Sequence, residues 1–267
     1  MDANPPEYEL YAIRYAERDA RRRDHFIGGD PHDGPMPMDY FVWAAIGTER
    51  SFVIDAGFTA EVGAARGRRH LRCPAESLSL IGLDRSNVAD VIITHLHYDH
   101  VGTYDRFPKA EFHLQETELH YTTGHHMRHP FLARSFEVDD ICGIVRLNFA
   151  RRVRLYNGPA ELAPGITIHP VGGHTPGMQF VRVHTSRGWV VLASDVSHYY
   201  ENMEAGRPYT AAFDIGDMLD AYDTLRAHAP SPQHIIPGHD PLVMRRYPAP
   251  KPELEGVVIR LDVPPRS

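Results

Sequence analysis

Cysteine is scarce: Cys73 and Cys142 are the whole complement, and no CxxC pair exists. No disulfide framework is implied, and a reducing compartment fits. Long apolar runs are missing too; none approaches the ~20 residues that span a bilayer, so no membrane partner is expected. Residues 1–7 show neither a charged n-region nor an apolar h-region, so no secretory signal is expected and the protein reads as cytoplasmic. Positive charge is also in deficit. Net charge is −7 and the pI near 6.2, which gives a polyanion nothing to bind and argues against nucleic acid. The runs Arg21-Arg22-Arg23 and Arg66-Gly67-Arg68-Arg69 are short, lie among acids and read as solvated faces. Repeats, low-complexity tracts and linkers are absent. With 267 residues, 42% of them hydrophobic, residues 1–267 are read as one domain with a large core.

Histidine, by contrast, is abundant: there are 18. Their meaning depends on where they fall. Tyr- and Ile-rich residues 8–15 predict a strand, and 16–38 a long loop. Runs 40–46 and 51–55 predict a hairpin, followed by Asp55-Ala56-Gly57. Thr59 is placed to cap a helix reaching His70, and Pro74 to open one over 75–81 that stops at Gly82. Strands are expected at 88–94, 110–114, 166–171, 189–194 and 234–236, and a helix begins at 116–121. Residues 122–150 show no clean period. Residues 214–228 form the clearest helix, with Asp214 as N-cap and one apolar face. Hairpins followed by strand–helix alternation imply an α/β layered fold, with helices covering sheet on its outer faces. Trp43 and Trp189 are expected in the core, and both cysteines as small buried hydrophobes.

The histidines concentrate where strands end. Directly after 88–94 comes Thr94-His95-Leu96-His97-Tyr98-Asp99-His100, four imidazole or carboxylate groups within six residues. A strand running into a loop frees its side chains from strict alternation, so all four can converge. These donors suit Zn²⁺ and other first-row divalent ions. Four exceed what one open catalytic ion needs from a single loop, which suggests two ions side by side. Surface histidines would predict no ligands elsewhere, yet three more potential ligands stand at strand ends. His174 follows Gly172-Gly173, Asp195 ends an apolar strand, and His239 follows Pro237-Gly238. Asp55 and Asp240 are candidates to support a ligand histidine or to serve a turn. His125, His126 and His129 read as solvent-facing, and the segment 118–150 as a pocket wall or dimer contact.

The pattern His95-x-His97-x-Asp99-His100 resembles the signature of the metallo-β-lactamase superfamily, and the likeness runs from Asp55 to His239. It implies a four-layer αβ/βα sandwich with a two-metal site at one edge. Carried over, His95, His97 and His174 hold the first ion, Asp99, His100 and His239 the second, and Asp195 bridges both. An Asp at that bridging position points away from β-lactams. Gly-His-Thr-Pro-Gly (173–177), Ser-Asp-Val-Ser (194–197) and Pro-Gly-His-Asp (237–240) are similar to the N-acyl-homoserine-lactone lactonase family. That likeness implies two divalent ions, Zn²⁺ by expectation, quorum quenching, a small lactone substrate and a homodimer. The implied reaction is attack of a hydroxide shared by the ions, with Asp99 returning a proton to the leaving alkoxide. One departure is plain: family members place a substrate-contacting tyrosine three residues after the bridging Asp, and here that residue is His198, followed by Tyr199 and Tyr200. His198 and Tyr199 are the candidates for the carbonyl contact. A glyoxalase-II-like thioesterase is the competing expectation. An iron oxidoreductase on the same scaffold ranks lower, because flavodiiron relatives need a Glu within the motif and persulfide dioxygenases a reduced ligand set.

Overall fold

The computed structural model describes residues 4–266. Its strands are β1 (Glu9–Arg18), β2 (Met38–Ile46), β3 (Ser51–Ile54), β4 (Arg69–His70), β5 (Asp90–Ile92), β6 (Glu111–Gln115), β7 (Val153–Tyr156), β8 (Ala160–Ala163), β9 (Ile166–Pro170), β10 (Gln179–Thr185), β11 (Gly188–Ser194), β12 (Ile235–Pro237) and β13 (Val258–Arg260). Its α-helices are α1 (Ala60–Ala65), α2 (Pro74–Ser77), α3 (Tyr98–Val101), α4 (Glu116–Thr123), α5 (Pro130–Ala133), α6 (Val138–Phe149), α7 (Tyr200–Ala205), α8 (Ile215–His228) and α9 (Leu242–Arg246). No described helix is long and apolar enough to cross a membrane.

The strands form two sheets. The larger runs β13-β1-β2-β3-β5-β6-β7, with β4 paired to β1; the smaller runs β12-β11-β10-β9-β8. Alternation along the central strands explains why the sheets stack. In β2, Phe41, Trp43 and Ala45 face the core between the sheets, whereas Tyr40, Val42 and Ala44 face the outer helices. Phe52 and Ile54 of β3 point inward and Val53 outward. A strand apolar on both faces must be covered on both, which dictates helix, sheet, sheet, helix. Helix α8 covers the smaller sheet through Met218, Tyr222 and Leu225, and Leu119, Ile141 and Ile144 of α4 and α6 cover the larger. The metallo-β-lactamase fold expected from the sequence is the fold observed.

Several boundaries differ. β1 continues to Arg18, shortening the predicted loop. The helix capped by Thr59 ends at Ala65, because Arg69 and His70 leave it to pair with Glu17 and Ala16. Residues 74–81 are α-helical only to Ser77 and then tighten to a 3₁₀ turn ending at Gly82. Within the aperiodic stretch 122–150 lies α6, a 12-residue helix. Its apolar Val138 and Phe149 stand in solvent, 75% and 85% exposed, so apolar residues do not mark its buried face. Trp43 is fully buried, but Trp189 is only half-buried, with the Arg182 guanidinium 4.4 Å above its ring. Both cysteines are half-buried rather than buried.

Candidate metal centre

Four strand ends meet at one edge of the sandwich. The chain leaving β5 carries His95 and His97 and turns into α3, which supplies Asp99 and His100. The loop after β9 brings His174, the end of β11 brings Asp195, and β12 leads to His239. All seven side chains are buried. The loop that bears His174 is seated by two close approaches. At Gly173 (φ 102°) a Cβ would lie 2.5 Å from the Met218 Cα, and at Gly177 it would lie 2.0 Å from the Glu118 backbone nitrogen.

The donor atoms fall into two groups. His95 Nε2, His97 Nδ1 and His174 Nε2 lie 2.8–3.1 Å from one another. Asp99, His100 and His239 make up the second group. Asp195 stands between them. Its Oδ2 is 3.3 Å from His174 Nε2, and its Oδ1 is 3.0 Å from His239 Nε2 and 3.4 Å from His100 Nε2.

The opposite ring nitrogens fix the tautomers. His174 Nδ1 lies 2.6 Å from the Ala211 carbonyl and His239 Nδ1 2.9 Å from the Asp39 carbonyl. A carbonyl only accepts, so each Nδ1 carries the proton and each Nε2 turns a lone pair inward. His100 Nδ1 donates to Asp55 Oδ2 at 2.7 Å, making its Nε2 a third inward ring nitrogen, aimed at carboxylates. Against the opposing effect of burial, Asp195 raises the pKa of both His100 and His239, a negative field that a cation would satisfy as well as a proton. Buried lone pairs facing lone pairs repel unless a cation lies between them. His100 Nε2 and Asp195 Oδ1 are indeed buried with no hydrogen-bond partner. Burial, reinforced by neighbouring imidazoles, holds His95 and His97 well below the usual histidine range, so both are neutral ligands in waiting. The donor set therefore fits divalent cations, with one Asp195 oxygen turned toward each group of donor atoms.

Supporting residues set the frame. Asp55 (φ 62°) accepts from the Thr94 N–H at 2.7 Å and the Thr94 hydroxyl at 2.9 Å, besides His100. Thr94 Oγ1 also meets Ser194 Oγ at 2.9 Å, tying the larger sheet to the smaller directly beneath the ligands. Asp240 supports no ligand histidine; its carboxylate accepts from the backbone N–H groups of Tyr200 and Leu242, a capping role.

Sequence reading does not find Glu118. It is fully buried, accepting from Leu96 N–H at 3.0 Å, Thr175 Oγ1 at 2.6 Å and Gly177 N–H at 3.2 Å. It thus clamps the loop of His95 and His97 to the loop of His174. An acid inside a short helix gives no signal of this in sequence.

A cavity of about 390 Å³ opens over the ligands. Of His198, Tyr199 and Tyr200, His198 alone lines it, with Nε2 3.0 Å from Asp195 Oδ2. Burial pulls its pKa down to about 3, against the opposing pull of Asp195, so the ring is neutral. Tyr199 corrects the expectation: its hydroxyl turns away and meets His25 Nε2 at 3.0 Å and the Pro37 carbonyl at 3.1 Å. The β-region backbone that starts α7 sends the two side chains in different directions. Tyr200 is buried under the Arg246 guanidinium, 3.8 Å from its ring. The phenol beside His198 is that of Tyr209, which lines the cavity with Tyr40 and Tyr98; it stacks on His198 at 3.6 Å and donates to the Asp195 backbone carbonyl. The 118–150 segment does wall the site. Phe136 packs on the His97 ring at 4.5 Å, and Arg134 and Ser135 line the cavity. His125 and His129 face solvent. Arg66 and Arg68, expected on a solvated face, line the cavity instead.

A family model described as the Metallo-beta-lactamase superfamily matches residues 36–247. An N-acyl homoserine lactonase of a Bacillus species is 29% identical over 165 residues, 61% of this chain and 60% of that protein. N-acyl homoserine lactonase AiiB of Agrobacterium fabrum is 28% identical over 161 residues, 57% and 55% of the two chains. The matches thus span about three-fifths of these relatives' length. A solved quorum-quenching N-acyl homoserine lactone lactonase superposes with a TM-score of 0.73 at 20% identity, over 91% of this chain and 95% of that one. The dizinc lactonase AidC gives 0.68 at 14% identity, over 90% of each chain. A probable metal-dependent hydrolase from Staphylococcus aureus gives 0.72 at 13% identity, over 99% of this chain and 97% of the other.

Proposed function

Because this chain belongs to the metallo-beta-lactamase superfamily, we propose that it is a two-metal hydrolase that opens a lactone ring. The observation that carries this reading is the split donor set. Two groups of ligand atoms share Asp195, one oxygen toward each, with orphaned buried atoms at His100 and Asp195 between them. His95, His97 and His174 would hold one ion and Asp99, His100 and His239 the other, with zinc the ion best suited to imidazole and carboxylate together. When bound, such a pair supplies a nucleophilic water at neutral pH and a Lewis acid for the carbonyl oxygen. The similarity to lactonases supports a cyclic ester over other acyl substrates.

The chain's own residues do the rest. Asp55, the Ala211 carbonyl and the Asp39 carbonyl hold the ligand rings in one tautomer, so no reorganisation is needed as charge develops. His198, neutral and stacked on Tyr209, faces the cavity; with its Nε2–H donated to Asp195 Oδ2, we assign its ring to positioning the ester by packing. Asp99 is buried at the cavity floor beside His100 and His239, with its backbone carbonyl fixed by the Tyr15 hydroxyl at 2.9 Å. We assign it the proton transfer: it would take the proton released by the attacking water and pass it to the leaving alkoxide.

Proton release on a panel of lactones, run beside S-lactoylglutathione, tests the reading. Ring opening is expected; turnover of the thioester alone would replace the lactonase reading with a thioesterase.

A further inference from the structure

The walls of the cavity say what kind of lactone it would admit. Four guanidinium groups line it, those of Arg18, Arg66, Arg68 and Arg134. Arg66 is already neutralised by Glu137 at 2.7 Å, and Arg134, on an exposed residue, lies 4.1 Å over the Phe131 ring. Arg18 and Arg68 are different. Both are half-buried, and among the described residues neither has a carboxylate within ion-pair distance. Arg18 Nε rests on the Met38 sulfur at 3.1 Å, and Arg68 Nε donates to the Tyr98 hydroxyl at 3.0 Å. Both charges act on the phenol of Tyr40, whose ring packs 4.9 Å from that of His239. The two guanidiniums therefore share one cavity with the tyrosine that packs on the second ligand group.

The acids of the cavity do not cancel them. Asp99 and Asp195 are committed to the metal pair, and Asp24 is exposed and 4.0 Å from Arg23. A half-buried guanidinium with no counter-ion is costly to keep unless a ligand supplies the anion, and its planar fork matches a carboxylate. The apolar side of the site is small by contrast. The cleft beside His97, walled by Tyr121, Phe131, Leu132 and Phe213, holds about 20 Å³, room for roughly one water-sized group. An uncharged lactone with a long alkyl tail would leave the arginines unpaired and find little room in this cleft.

Resting on the hydrolytic reading above, we propose that the substrate is a lactone bearing a free carboxylate, received by Arg18 and Arg68. The zinc-loaded full chain would be assayed with 5-oxotetrahydrofuran-2-carboxylate, its methyl ester and N-hexanoyl homoserine lactone. The carboxylate is expected to exceed the methyl ester at least tenfold in kcat/KM at low ionic strength, with the advantage shrinking as salt rises. R68Q and R18Q should each cut that ratio several-fold, through KM rather than kcat, and R68K should restore part of it. Because the two arginines lie on different strands or turns, a folding defect in one variant leaves the other informative. Equal rates on carboxylate and ester, preference for the hexanoyl compound, or a ratio unmoved in both variants would overturn the proposal. If none of the three is opened, the lactonase reading itself fails. Calorimetric binding of carboxylate and ester to the same loaded protein then decides the charge question. Carboxylate binding at least fivefold tighter, and weakened in R68Q, upholds it; equal binding overturns it.

Discussion

Replacing Glu118 by Gln isolates how much the metal centre depends on a residue that never touches a metal. The carboxylate accepts three hydrogen bonds, from Leu96 between two ligand histidines and from Thr175 and Gly177 just after a third. Glutamine has almost the same volume, so no cavity opens. Its amide, however, offers one accepting oxygen and one NH₂. With the oxygen toward Leu96, the NH₂ meets the Gly177 N–H; rotated, it meets the Leu96 N–H. Either way one buried backbone donor loses its acceptor, a cost of about 1–3 kcal/mol. Removing the charge recovers part of this, because burial pushes the Glu118 carboxyl up, against the donors that favour the charged form. The net expectation is a loss of about 1–2 kcal/mol, or roughly 2–6 °C in melting temperature for a chain of this size. Glu118→Ala leaves all three donors bare and should cost more than twice as much. On the proposed ligand set, an ion held by His95, His97 and His174 should also bind ~10–100-fold more weakly, the usual consequence of losing an outer hydrogen-bond partner. Thermal melts of loaded and metal-free protein, with chelator competition for zinc, measure both quantities. A melting point and chelator midpoint both unchanged in E118Q would refute the clamp.

Other substitutions probe neighbouring parts of the argument. Elemental analysis of Asp195→Ala should find fewer than the two ions expected per wild-type chain, and turnover should fall by more than ~100-fold, beyond what outer-partner changes cause. Full metal content with unchanged kinetics would mean the bridging assignment is wrong. Tyr199→Phe should keep kcat within about twofold and cost about 1 kcal/mol of stability through its lost bonds to His25 and Pro37. His198→Ala should lower kcat ~100-fold if its ring positions the ester, so equal losses in the two variants would contradict the orientation described. Gly177→Ala drives a methyl into the Glu118 backbone at 2.0 Å and should destabilise the protein or shift the His174 loop, visible as weakened zinc binding. His25 supplies a pH test: burial, only partly offset by the Met36 carbonyl, lowers its pKa to about 4. Its folded value lies below the unfolded ~6.5, so the neutral form's contribution is whole above that pH and drains as pH falls toward 4, by up to about 3 kcal/mol. Comparing wild type with His25→Gln at pH 7 and 4.5 checks it; a stability difference independent of pH would count against the buried, neutral ring.

The candidate ligand positions are legible in sequence because two patterns coincide on them: donor residue types, and the ends of apolar runs. His95, His174, Asp195 and His239 each follow a stretch such as Val190-Val191-Leu192 whose burial can be read directly. The same logic located β2, β3 and α8. It missed α6, whose apolar residues point partly to solvent, and β8, which is half-exposed and weakly patterned. β10 alternates Val181 and Val183 with Arg182 and His184, so a period-two reading would have found it. Glu118, Tyr209 and Arg68 were out of reach for a different reason. Their roles arise from contacts across the fold, and a lone acid, phenol or guanidinium in sequence looks like surface. Tyr199 shows the limit within the motif itself: counting residues after Asp195 gives neighbours, but only backbone direction decides which one faces the cavity.

The bond between Thr94 and Ser194 has a consequence for how the protein matures. Each sheet carries an incomplete share of the centre. The larger holds His95, His97, Asp99 and His100; the smaller brings His174, Asp195 and His239. In chain order the first share is synthesised before the second, and His239 is the last of the seven. Neither share alone presents the set with its bridging carboxylate. On the two-metal reading, tight acquisition of metal would report that both halves have been made and docked. Occupancy would then certify correct assembly, the ions adding a further tie between sheets already joined by their shared apolar core.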